Sequence, residues 1–104
     1  MEALDRKFKF TATSVKSGKV YTEKNAIVFI AKDSLLPNLL DHYVELCAQA
    51  NVDERQMFGV KLLKDRVLAW QRKNVKKVHK PDVEAGKEEK RVCKANTLYV
   101  GLNK

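Results

Sequence analysis

Residues 33–77 read DSLLPNLLDHYVELCAQANVDERQMFGVKLLKDRVLAWQRKNVKK, and this stretch decides the fold. At 100° per residue from Leu35, the residues Leu35, Leu36, Leu39, Leu40, Tyr43, Leu46, Cys47 and Ala50 fall within one arc of about 140°. Asn38, Asp41, His42, Glu45 and Gln49 fall on the other side. That pattern predicts an amphipathic helix over 34–50. Leu39 lies well inside the arc and is expected in the core. Asp33 or Ser34 can accept the free N–H groups of the first turn, and Pro37 sits where its missing N–H costs little.

A second helix is expected over 54–77. Asp53 has the place of an N-cap, Gln56 that of its capping-box partner, and Val52 and Met57 have the spacing of a hydrophobic staple. Val60, Leu63, Val67 and Trp70 then make a stripe at i, i+3, i+7 and i+10, widened by Met57 and Leu68. Lys64 and Gln71 interrupt one edge, and Phe58 and Leu62 lie off the stripe. The short Asn51-Val52-Asp53 connection makes the helices antiparallel neighbours. Facing stripes leave apolar width uncovered, so another surface must meet it.

Outward from the helices, Arg6–Thr13 alternates strictly. Phe8, Phe10 and Ala12 face one way, and Lys7, Lys9, Thr11 and Thr13 the other, as in a half-buried strand. Gly18 can take the positive φ of a turn, and Val20-Tyr21-Thr22 can return as the second strand of a hairpin. Outward lysines also protect a sheet edge. For residues 23–32 periodicity does not separate helix from strand. The abrupt run into Asp33 favours a short third helix.

Pro81 ends any helix by Lys80. Residues 81–90 combine Pro, Gly and charge without apolar spacing, as a mobile linker does. Apolar content returns at the C-terminus, where 97–102 can add a strand or dock on a partner through Leu98, Tyr99 and Val100. The expected architecture is therefore α+β: a compact domain over 1–80, with an N-terminal β-hairpin packed on an antiparallel helix pair, then a basic C-terminal segment at 81–104.

The chain has 104 residues, 44% of them hydrophobic, and a net charge of +8. That length can bury one core without metal or disulfides. No apolar run approaches the ~20 residues of a membrane span. The first residues lack the apolar core of a signal peptide, so a cytoplasmic location is the expectation. Residues 1–32 carry a net +4, 33–70 a net −2 and 71–104 a net +6. The basic character belongs to the two ends.

Catalytic and metal patterns are missing. Cys47, Cys93, His42 and His79 show no zinc-ligand spacing, and His42 and Cys47 diverge around their helix. Ser17-Gly18-Lys19 lacks the upstream Gly of a phosphate-binding loop. Adjacent Asp41 and His42 point apart on a helix. No grouping supplies nucleophile, base and oxyanion donor together. A helix-turn-helix reading fails because its recognition helix would begin with Asp53 and Glu54, which repel phosphates.

These features point to a non-catalytic binding module without cofactor or metal, taking a protein partner or a second copy of itself. The alternative is sequence-independent binding of DNA or RNA through the hairpin and residues 72–94. Its candidate contacts are Lys7, Lys9, Arg72, Lys73, Lys76, Lys77 and Lys80. A sheet bearing Lys7, Lys9, Tyr21 and Tyr99 would combine charge with aromatic stacking surface.

Overall fold

A computed structural model describes residues 2–81. Apart from Pro81, the expected linker lies outside the described residues. So do the 97–102 segment, Leu98, Tyr99, Val100 and Cys93. Helix α1 is Leu36–Gln49 and helix α2 is Glu54–Lys73, following strands β1 (Thr11–Thr13) and β2 (Val20–Thr22). The fold class is α+β, a β-hairpin and a helix pair. The described residues divide into two compact units, 2–28 and 29–81.

In the second unit, Asp33 introduces α1. Its Oδ1 accepts the Leu35 N–H at 2.8 Å, and Pro37 occupies the first turn. The other end closes on a side-chain-free motif. Asn51 takes φ 58°, its N–H donates to Ala48 O at 3.2 Å, and the Val52 N–H donates to Cys47 O at 3.0 Å. This is a Schellman arrangement with Asn in the left-handed position, a conformation Asn tolerates better than most residues. The chain then turns directly into α2, whose N-cap Asp53 accepts the Arg55 N–H at 2.9 Å. The Arg55 guanidinium reaches the same carboxylate at 2.8 Å, a contact the expected capping box does not include.

Helix α2 ends at Lys73, four residues short of the expected 77. Asn74 stops it. The Asn74 side chain donates to Trp70 O at 2.8 Å, and its backbone N–H is shared between Trp70 O and Gln71 O. Lys76 and Lys77 therefore stand on a turn beyond the helix.

The two polar residues that interrupt the α2 stripe each reach across the pair. Lys64 Nζ meets Asp41 Oδ2 at 2.6 Å. The Gln71 amide donates to Ala31 O at 2.9 Å and Asp33 O at 3.0 Å. Those pairings join the start of α1 to the end of α2, which makes the helices antiparallel. The chain after α2 returns to the same place. His79 forms an isolated parallel bridge with Asp33: its N–H donates to Lys32 O at 3.1 Å, and its carbonyl accepts the Ser34 N–H at 3.0 Å.

Leu36, Cys47, Val60 and Val67 are the buried hydrophobic residues, with Leu40, Val44 and Met57 half-buried around them. This corrects the helix phase. The buried strip of α1 is turned by about 70° from the centre of the apolar arc, counting 100° per residue. Leu39 is 42% exposed and is not a core residue. The reason is width: one neighbouring helix covers part of an arc that broad, and α2 covers the Leu36–Cys47 side.

In the first unit, β1 and β2 pair antiparallel with Thr11 opposite Thr22, Ala12 opposite Tyr21 and Thr13 opposite Val20. Gly18 takes φ +75° in the connecting turn. The expected strand from Arg6 pairs only over Thr11–Thr13, because its earlier N–H groups are claimed by side chains. Asp5 Oδ1 accepts Lys7 N–H at 2.9 Å and Phe8 N–H at 3.0 Å. Glu23 Oε1 accepts Phe10 N–H at 3.1 Å.

The expected helix at 23–32 is not formed. Asn25 folds back on Thr22, its N–H donating to Thr22 O and its Oδ1 accepting the Thr22 N–H. The apparent helix start thus closes as a single turn. Beyond it, residues 26–30 alternate half-buried and exposed, and the Val28 N–H goes to Asp5 Oδ2 at 2.9 Å. A carboxylate from elsewhere in the chain takes the place of a helix or sheet partner.

Candidate functional site: one face and one end of the helix pair

The ion pair Asp41–Lys64 marks one long seam of the helix pair. Leu35, at the N-cap of α1, and Leu39, Tyr43 and Leu46 within it lie on the other side of the buried strip from Asp41. In α2, Leu63 and Trp70 lie on the other side of Val60 and Val67 from Lys64. For antiparallel helices these displacements bring the six residues to one side. Each is between 37% and 53% exposed. Cys47, Leu36 and Val67 form the buried floor between the two rows. The result is a continuous apolar face in residues 29–81. Phe58 and Leu62, which the stripe excluded, lie around the back of α2 and are also exposed.

The second feature is the end where α1 begins and α2 finishes. Arg72 and Lys73 occupy the last turn of α2. Lys76 and Lys77 follow on the turn closed by the Lys77 N–H to Asn74 O bond, at 2.8 Å. The parallel bridge pairs His79 with Asp33, which sets Lys80 next to Ser34 and Lys32 next to Val78 at this end. Lys32 is half-buried and the other five are exposed. Sequence reading missed Lys32, which is 40 residues away from Arg72 along the chain. The polar Gln71 inside an apolar stripe was its one signal.

Lys7 and Lys9 belong to the other unit and are exposed there. The register puts Tyr21 opposite Ala12, on the ribbon face away from Thr11 and Thr13. Lys7 and Lys9 precede β1, in a stretch that does not pair with β2.

Three carboxyls have lowered pKa values, each with a structural duty. The Phe8 N–H, with those of Val28 and Lys7, holds Asp5 below its ordinary value against the opposing effect of burial. Glu23 is lowered by its own N–H and that of Phe10. Asp53 is lowered by the Arg55 side chain and N–H, and Arg55 is raised in return. All three carboxylates hold backbone, at a loop entry, a ribbon and a helix cap. His42 stands 3.6 Å from Glu45 in an exposed pair. Cys47 is buried in the helix pair. Among the described residues, no three His, Cys, Asp or Glu side chains are grouped to hold a metal ion, and no helix is long and apolar enough to cross a membrane.

No family model matches the chain, and neither a curated protein nor a solved structure does.

Proposed function

We propose that the protein is a non-catalytic interaction module that works as a pair, its helix-pair face taken by the same face of a second copy. The supporting observation is the six-residue apolar face. With roughly 150–250 Å² per large side chain, exposures of 37–53% leave about 500 Å² of apolar surface on one side. A patch of that size is at the upper end of what monomers carry and is often functional. Two such faces remove about 1,000 Å² from water before any polar rim is counted, which is the lower bound for a specific interface. An apolar patch is complementary to itself, and a two-fold axis closes the assembly at a dimer. Each copy carries +8, so like-charge repulsion opposes pairing and salt relieves it.

Sedimentation equilibrium up to about 1 mM protein tests this, a range in which an association of about −4 kcal/mol is visible. A dimer that strengthens with salt is expected. Leu39→Glu and Tyr43→Glu should leave a folded monomer, whereas Phe58→Glu, on the back of α2, should leave the dimer intact. A wild-type protein that is monomeric throughout overturns the proposal, as does a dimer lost in Phe58→Glu and kept in Tyr43→Glu.

A further inference from the structure

The basic end of the helix pair has more cations than its fold requires. A helix C-terminus favours cations, but the effect falls off within the last turn. Had α2 run to residue 77, the dipole would have accounted for Lys76 and Lys77 instead. Asn74 ends the helix at Lys73, so the dipole accounts for Arg72 and Lys73 alone. Lys76, Lys77 and Lys80 lie beyond it, and Lys32 lies ahead of α1. The Asp33–His79 bridge and the two bonds of Gln71 bring their chain segments to one end of the helix pair. No carboxylate among the described residues pairs with any of the six. Residues 66–81 contain no acidic side chain, and Asp33 Oδ1 is occupied by the Leu35 N–H. Elsewhere the protein does pair cations, as at Lys64–Asp41 and Arg55–Asp53. The first turn of α1, at the same end, holds no acidic residue of its own, and Asp33 ahead of it is the one carboxylate at its start.

We infer that this end, Lys32, Arg72, Lys73, Lys76, Lys77 and Lys80, binds the phosphodiester backbone of double-stranded DNA without reading its sequence. Separate cationic side chains on three chain segments, all but Lys32 exposed, suit a ligand with regularly repeated charge. Each contact releases a counterion from the duplex, so affinity accumulates without an enclosing pocket. The six stand on the last turn of a helix, on turns and ahead of α1, so they do not form the face of a helix or ribbon laid along the major groove, from which bases are read. The one exposed aliphatic side chain between them, Val75, is too little to anchor a bilayer. The site also reverses the geometry of a helix-turn-helix: α2 presents its basic C-terminal end, and its acidic start at Asp53 and Glu54 is at the far end of the pair.

The test is a titration of fluorescently labelled duplex DNA over a salt series, from about 50 mM upward, with vesicles of anionic phospholipid as a parallel arm. If about five phosphates are neutralised, log affinity falls against log salt with a slope between about −4 and −5. The pair Lys76→Gln and Lys77→Gln should flatten that slope by about two units, and Lys32→Gln by about one. Lys76 and Lys77 are exposed and Lys32 is half-buried, and an unchanged circular dichroism spectrum confirms folding in each variant. The pair Lys7→Gln and Lys9→Gln removes as much charge from the other unit and should leave the slope unchanged. No duplex binding at about 50 mM salt overturns the inference, because nonspecific binding is strong there. Binding to vesicles without binding to duplex overturns it too, as does a slope that responds to Lys7 and Lys9 instead of Lys76 and Lys77.

Discussion

Truncating Leu36 and Leu39 to alanine, one at a time, tests which half of the α1 arc is buried. The two leucines are three residues apart on the same helix and lose the same atoms. Removing about three methylene equivalents at ~0.8 kcal/mol each costs about 2.4 kcal/mol at full burial. Leu36 is 8% exposed and faces α2, so it loses nearly all of that, and a cavity term brings the expected cost to about 3 kcal/mol. Leu39 is 42% exposed, which reduces its transfer cost to about 1.4 kcal/mol. Water fills the space it leaves, and the better helix propensity of alanine returns a few tenths. Its expected cost is about 1 kcal/mol. The assay is urea unfolding followed by far-ultraviolet circular dichroism, at a concentration well below that of pairing, with m unchanged between variants. Equal losses, or a larger loss at Leu39, would refute the phase assigned to α1 and with it the exposed face.

Gln71→Leu keeps the volume but leaves the carbonyls of Ala31 and Asp33 without their donor; it should cost about 1–3 kcal/mol in urea unfolding and weaken duplex binding by loosening the basic end. Asp5→Ala should abolish amide-exchange protection at Phe8 and Val28, while Asp5→Asn, which keeps an acceptor oxygen, should preserve part of it; unchanged protection in the alanine variant would remove Asp5 as the anchor of its unit. Acid should destabilise the protein through Asp5, Glu23 and Asp53. Their folded pKa values lie below the unfolded ones, so the unfolded chain binds more protons as pH falls. Their contribution is complete above the ordinary carboxylate range near pH 4 and is lost through the lower folded values. Stability that rises on acidification through that window would contradict the assignment.

The helix pair was legible because its signals are local. A period of 3.6, an Asp at an N-cap and a three-residue connection each act within a few residues. What misled was competition from side chains distant in sequence. Nothing in Arg6–Thr13 shows that Asp5 and Glu23 will take its N–H groups, so its alternation reads as a longer strand than the pairing allows. The segment at 23–32 fails in the same way, with the Val28 N–H captured from 23 positions upstream. Helix phase was ambiguous for another reason. An arc of about 140° is compatible with burial of either half, and the Asp41–Lys64 contact that chooses between them is a tertiary fact.

The face and the end rest on the same property of the helix pair, which is asymmetry about its long seam and along its length. Lys64 and Gln71 are the residues that break the α2 stripe, and both do so by joining one helix to the other. Lys64 fixes one seam as polar and so leaves the opposite one apolar. Gln71 draws residues 31–33 to the end of α2 and so gathers the cations there. Salt separates the consequences: it should strengthen contact between two faces of like-charged copies and weaken contact between the basic end and phosphates. An ionic-strength series on wild type, Tyr43→Glu and the Lys76 and Lys77 double variant therefore assigns each association to its own surface. The tyrosine variant should lose only the one that salt promotes, and the lysine variant only the one that salt suppresses.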